Sequence, residues 1–128
     1  MFRHDRAWPR TKLFARFARK ERIEDSALRE AVDRAMRGPI AADLGGVLEQ
    51  RVARKGQGRS GGFRVLLAMR AKDRTVFVFG FAKNDRANIN DDELADLRDV
   101  AASWMAADAK KIERALAEGL LKEVPDES

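Results

Sequence analysis

The 128-residue chain has no cysteine and no tyrosine, and only one histidine and three prolines. Without cysteine there are no disulfides, thiolate nucleophiles or Cys-ligated metals, and a lone His4 cannot build a multi-histidine metal site. No apolar run approaches the roughly 18 residues of a membrane-spanning helix. The opening segment, Met1 to Arg10, carries charges where a secretory signal needs its apolar stretch. These absences predict a cytoplasmic chain with no membrane segment, no metal and no cofactor. The hydrophobic content, 45%, suffices for one moderate core, so a single domain over residues 1–128 is expected.

The formal net charge of +5 is unevenly spread. Residues 51–90 hold ten Lys and Arg against two acids, whereas residues 91–128 hold five against eleven. A basic segment in the middle of a folded chain presents positive charge to something, and nucleic acid is the commonest polyanion of the cytoplasm. The alternative is that the basic middle docks against the acidic C-terminal part.

Periodicity organises the chain. Residues 1–9 read as a flexible end. In LFARFARKERI, Leu13, Phe14, Phe17 and Ala18 share one side of a helix, with Arg16, Arg19 and Lys20 on the other. Asp25 is placed to cap a second helix whose apolar stripe is Leu28, Ala31, Val32, Ala35 and Met36, ended by Gly38-Pro39. Ile40 to Val47 reads as a loop. From Leu48 the period becomes extended. One strand ends near Arg54, the run KGQGRSGG (Lys55 to Gly62) reads as a loop, and Phe63–Arg70 and Thr75–Phe81 read as further strands. Short polar turns between them predict an antiparallel meander. The last two strands are apolar on both faces, so both need cover. Asn90 followed by Glu93 forms a capping-box pattern for a third helix, a fourth begins near Asp108 and stops at Gly119, and Leu120 to Val124 is suited to an edge strand before an acidic tail. Residues 91–128 thus form a C-terminal helical extension, with Trp104 and Met105 as core cover.

Gly56, Gly58 and Gly61 match G-x-G-x-x-G, but a dinucleotide site needs a helix behind the glycines, and here a strand follows. A glycine-rich loop with Lys55 and Arg59 can instead follow a phosphate backbone through its amides and charges. The more informative set is Arg51, Arg54, Arg64, Lys83 and Arg86. In a meander, the end of the first strand, the start of the second and the end of the third meet at one end of the sheet, so these residues converge. Clustered cations repel by about 1–4 kcal/mol per close pair near a surface, so an anion is expected there, or else acids such as Asp91, Asp92 or Glu93 neutralise the cluster. If the anion is RNA, the ribose 2′-hydroxyl can attack its own phosphate without metal, given a base, charge stabilisation and an acid. Lys83, depressed by neighbouring arginines, is one candidate base; His4 lies in the flexible end.

Together, LFARFARKERI, RVARKGQGRSGGFR and FGFAKNDRANI resemble the RelE/ParE superfamily of type II toxins, most closely its HigB-like branch, over residues 10–124. The resemblance implies an α+β fold with two N-terminal helices on a small antiparallel sheet. It also implies an endoribonuclease that cuts mRNA in the ribosomal A site and is silenced by a cognate antitoxin. Arg64 matches the arginine after the aromatic of the S-G-[YF]-R run, which contacts the scissile phosphate. Arg51 and Arg54 fall on the strand that supplies basic residues, Lys83 to Arg86 with Asn84 correspond to the basic loop after the last strand, and Lys55 and Arg59 are placed to bind RNA. Phe63 stands where tyrosine is common, and Asn90 or a neighbour where many relatives carry a catalytic tyrosine, which leaves the general acid and base open. Two other functions share the fold: a ParE-like gyrase inhibitor, and a degenerate toxin that only binds its antitoxin.

Overall fold

A computed structural model describes residues 8–38, 42–43, 46–54, 58–70, 74–82 and 89–124. In chain order the elements are β1 (Trp8–Thr11), α1 (Lys12–Lys20), α2 (Asp25–Arg37), β2 (Ala42–Asp43), β3 (Leu48–Arg54), β4 (Gly58–Arg70), β5 (Arg74–Ala82), α3 (Asp91–Ala106), α4 (Ala109–Ala117) and β6 (Leu121–Val124). The strands form one sheet in the order β2-β3-β4-β5-β1-β6.

The expected meander is the centre of this sheet, with β3, β4 and β5 antiparallel in sequence. Its strands alternate between two cores. Val52, Phe63, Val65, Leu67 and Phe77 pack against Phe14 and Ala18 of α1 and Leu28, Ala31 and Val32 of α2. Leu66, Ala68, Val76, Val78 and Phe81 pack against Ile89, Leu97, Ala101, Ala115 and Leu121. Trp104 and Met105 join this second core, as expected of the C-terminal extension. An irregularity in β5 leaves Leu66 opposite Phe79 and Leu67 opposite Phe77, inserting Val78 as an extra residue.

Four expectations need correction. Trp8 and Pro9 belong to no loose end: β1 lies between β5, to which it is parallel at Arg10 opposite Phe77, and β6, to which it is antiparallel. The sheet is therefore mixed rather than purely antiparallel. The residue before α2 is Glu24, and its side chain makes no capping bond. Asp25 is the first helical residue, and its carboxylate faces Arg10 of β1 at 3.6 Å. Within the supposed 40–47 loop, Ala42–Asp43 pairs with Leu48 and Glu49. Finally, Gly58 to Gly62 extend β4 instead of forming a loop, because the ladder with β3 continues to Arg54 opposite Gly58.

Local chemistry sets the helix boundaries. The Thr11 hydroxyl accepts from the Phe14 amide at 3.2 Å and starts α1. Asn90 and Glu93 form the expected capping box. The Asp108 carboxylate accepts from the Lys111 amide at 2.8 Å, and Gly119, at φ 81°, follows the end of α4. The last turn of α3 carries no basic residue of its own. Its carbonyls are met from the sheet instead: the Arg74 guanidinium donates to Trp104 O at 2.9 Å and to Ala107 O, and Arg70 donates to Met105 O at 2.8 Å. Two cations of the basic middle thus fasten the extension to the β4–β5 hairpin through backbone carbonyls.

On the α1 side, Phe14 stacks on Phe77 with ring centroids 5.0 Å apart, and Phe17 meets Phe63 edge-on at 5.8 Å. Phe17 lies directly over Gly80, where an added Cβ would come within 2.5 Å of its ring. Gly80→Ala is therefore expected to cost about 1–3 kcal/mol in thermal or denaturant unfolding, and combining it with Phe17→Leu should recover part of that loss. Equal melting of Gly80→Ala and the parent would show that the ring moves aside freely.

Candidate functional site

The site is built from the polar residues of β3 and their neighbours. Val52 and Gln50 face α2, so Glu49 and Arg51 take the opposite face, the one that carries α3 and α4. On that face Arg51 lies directly opposite Arg64 of β4, and Arg64 lies opposite Phe81 of β5. Phe81 and Leu66 are covered by the second core, but the apolar cover stops at β3, where Arg51 is exposed.

Like charges directly opposite one another destabilise an antiparallel pair. The relief comes from within the sheet. Glu49, two residues before Arg51 on the same face, forms an ion pair with the Arg64 Nη1, and the two side chains are only 6% and 13% exposed. The acid that neutralises Arg64 is thus Glu49, while the Glu93 side chain takes part in the capping box of α3. Arg51 makes no ion pair among the described residues and is the outward cation of the row.

Two bonds from the α2 side hold β3 in place. The Gln50 side chain, buried, donates to the Ala31 carbonyl at 3.1 Å. Arg34 of α2 donates through Nη2 to the Arg51 carbonyl at 2.6 Å. The backbone that carries Arg51 is therefore fixed, while its side chain is free to meet a ligand.

Of the other sequence-predicted residues, Arg54 and Arg59 have described backbones, in β3 and β4 respectively. Lys55, Lys83, Asn84 and Arg86 lie outside the described residues. Ala82, which immediately precedes Lys83 in sequence, pairs with Phe63 beside Arg64. Arg51 and Arg64 are brought together as expected. Glu49 is the site residue that sequence reasoning missed; its signal was an acid two positions from Arg51, hence on the same strand face. A groove of about 620 Å³, lined by residues including Ala107, Lys110, Lys111 and Arg114, lies by α4 at the hairpin end, away from Arg64. Among the described residues no group of three or more His, Cys, Asp or Glu side chains is placed to hold a metal, and no helix is long and apolar enough to cross a membrane.

A basic row on the face of a mixed sheet, with two helices on the opposite face, is the frame on which the sequence resemblance can be judged. The family model described as "RelE toxin of RelE / RelB toxin-antitoxin system" matches residues 8–124, from the first strand to the last, and the chain belongs to this family. It is accordingly a toxin of a type II toxin–antitoxin system, with an antitoxin as its partner. No curated protein matches the chain.

The Glu49–Arg64 pair yields a direct test. Glu49→Ala leaves a guanidinium uncompensated in a nearly closed site and is expected to cost about 3–5 kcal/mol of stability, read from denaturant midpoints. A Glu49→Leu/Arg64→Met double variant should recover most of that cost. A single Glu49→Ala variant as stable as the parent would show that the pair contributes no such compensation.

Proposed function

We propose that this toxin is a metal-independent endoribonuclease that cleaves mRNA, in a ribosome-dependent manner, by attack of a ribose 2′-hydroxyl on the adjacent phosphate. The observation that carries this reading is the cross-strand pair Arg51 and Arg64, set beside the strand end from which the chain continues into Lys83–Arg86. Arg51, exposed and without an ion-pair partner among the described residues, attracts the phosphate. Arg64 has five N–H donors; Glu49 engages Nη1 and fixes the plane of the guanidinium, and the remaining donors stabilise the charge that develops on the phosphorane. Arg54 and the basic Lys83–Arg86 segment complete the cationic set; Lys83 in its neutral form accepts the 2′-hydroxyl proton as the O2′–P bond forms, and the P–O5′ bond breaks as the departing 5′-oxygen takes a proton from the resulting ammonium or from water. Lys55, Arg59 and Asn84 contact flanking RNA. Ribosomal mRNA places this activity in the cytoplasm, and the antitoxin holds it in check.

The buried Glu49–Arg64 pair also fits a second reading, in which Arg64 is structural and the toxin inhibits gyrase without cutting RNA. The two readings separate at Arg51, whose side chain is not part of the ion pair. Arg51→Ala is expected to leave thermal stability within about 0.5 kcal/mol and to lower the cleavage rate by about 10²-fold. Mapping mRNA 5′ ends after induction checks this: the parent yields cuts within codons and Arg51→Ala few. DNA damage without new 5′ ends would establish gyrase inhibition instead.

A further inference from the structure

Helix α1 ends in a turn that is sterically unfavourable for the residue it contains. The Arg22 amide donates to Arg19 O at 3.2 Å and the Ile23 amide to Ala18 O at 2.9 Å, a closure that requires Arg22 to take the left-handed conformation, φ 57°. Glycine adopts this conformation without cost, whereas a residue with a Cβ does not. A strained position of this kind points to a use for its side chain. Arg22 is exposed and has no ion pair among the described residues. It borders a cleft of about 360 Å³, lined by residues including Glu21, Ile23, Glu24, Ala27, Ala53 and Phe63. The floor is apolar: Phe63 is 3% exposed, and Ile23 and Ala27 pack on the core beneath α1 and α2. The exposed Glu24 side chain makes no capping bond to α2 and no ion pair among the described residues.

The cleft adjoins the cationic row. Phe63 directly precedes Arg64, and Ala53 lies at an irregularity of the ladder, between Val52 opposite Phe63 and Arg54 opposite Gly58. Strand β2 pairs only with Leu48 and Glu49, so from Gln50 onward β3 has no strand on its outer side among the described residues. The cleft and the Arg51 and Arg64 row therefore occupy the two faces of one sheet margin, and an RNA strand that crosses this margin meets both.

We propose that the cleft receives one base of the mRNA flanking the scissile phosphate and selects guanine. Two acids against one arginine do not suit a phosphate. An apolar floor, a guanidinium and an acceptor for the base edge are what a reader of unstacked single-stranded RNA requires, and the cleft has the size of a small-ligand pocket. A carboxylate only accepts, through two oxygens. Guanine alone among the four bases sets two donors side by side, N1–H and the N2 amino group. Adenine and cytosine place an acceptor nitrogen beside the amino group, and uracil flanks N3–H with carbonyls, so each would turn an acceptor toward Glu24. Arg22 covers the base with its guanidinium plane. This inference rests on the nuclease reading, because the base belongs to that reaction's substrate, but it uses none of the cationic row.

The test uses the full-length toxin. In an NMR titration with 5′-GMP, the Ile23, Ala27 and Ala53 methyl signals should shift and saturate, with an affinity about tenfold or more above those for AMP, CMP and UMP. Glu24→Gln should abolish this preference without a change in melting, because Glu24 is exposed and caps nothing. Arg22→Gly should weaken GMP binding severalfold while melting at or above the parent temperature, whereas a purely structural role for Arg22 would lower the melting temperature. In the map of mRNA 5′ ends, cuts by the parent should carry guanine at one fixed distance, and Glu24→Gln should cut as often without that bias. Equal responses to the four nucleotides, or none, would overturn the proposal. So would a Glu24→Gln variant that loses affinity for antitoxin but not for GMP. Cuts without a guanine bias would overturn this proposal and leave the nuclease reading standing; a parent that binds GMP selectively but makes no cuts would overturn the nuclease reading and leave the cleft as a guanine site.

Discussion

The controlling constraint is that β4 and β5 are apolar on both faces. Val65, Leu67 and Phe77 must be buried on one side and Leu66, Ala68, Val76 and Val78 on the other, and all seven are buried. At about 25 cal/mol per Å² of buried apolar surface, leaving either face open would forfeit a large part of the stability of so small a domain. The chain therefore spends its N-terminal helices on one face and its C-terminal extension on the other. Polar residues enter the sheet where this double cover stops. It ends at β3, whose residues on the α3 side are Glu49 and Arg51 rather than aliphatics.

At the β3 margin, the sheet register sets two arginines side by side and a carboxylate diagonal to one of them, so one guanidinium is held and the other reaches outward. In the proposed function this arrangement suits a phosphodiester.

Much of this architecture was legible in the sequence where one segment carried its own signal. The stripe Leu28, Ala31 and Val32, the Asn90 and Glu93 capping box, the glycine after α4 and the alternation in β3 all depend on neighbours within a few residues. The gathering of Arg51 and Arg64 followed from the meander alone. What stayed hidden depended on distant partners. Strand β1 is four residues long and contains Pro9, a residue that argues against a central strand; only β5 and β6, far along the chain, make it one. Gly58–Gly62 looks like a loop in isolation and is held extended by the ladder to β3. Arg70 and Arg74 read as two more charges of a basic segment, because their acceptors are carbonyls of α3, which composition does not display. Glu49 was visible as a polar position but not as the partner of Arg64, because a diagonal contact requires the register, and the register is fixed by packing on both faces.

The central claim is that the Arg51–Arg64 row receives an RNA phosphate. The most direct measurement is NMR of the arginine side-chain N–H groups during titration with an RNA oligonucleotide that carries a 2′-deoxy sugar at the scissile position, so that it binds without being cut. The account predicts that the resonances of Arg51 and Arg64 shift together and saturate at one RNA equivalent, with Arg70 and Arg74 unmoved. Shifts confined to α1 or α4, with Arg51 and Arg64 unperturbed, would contradict it.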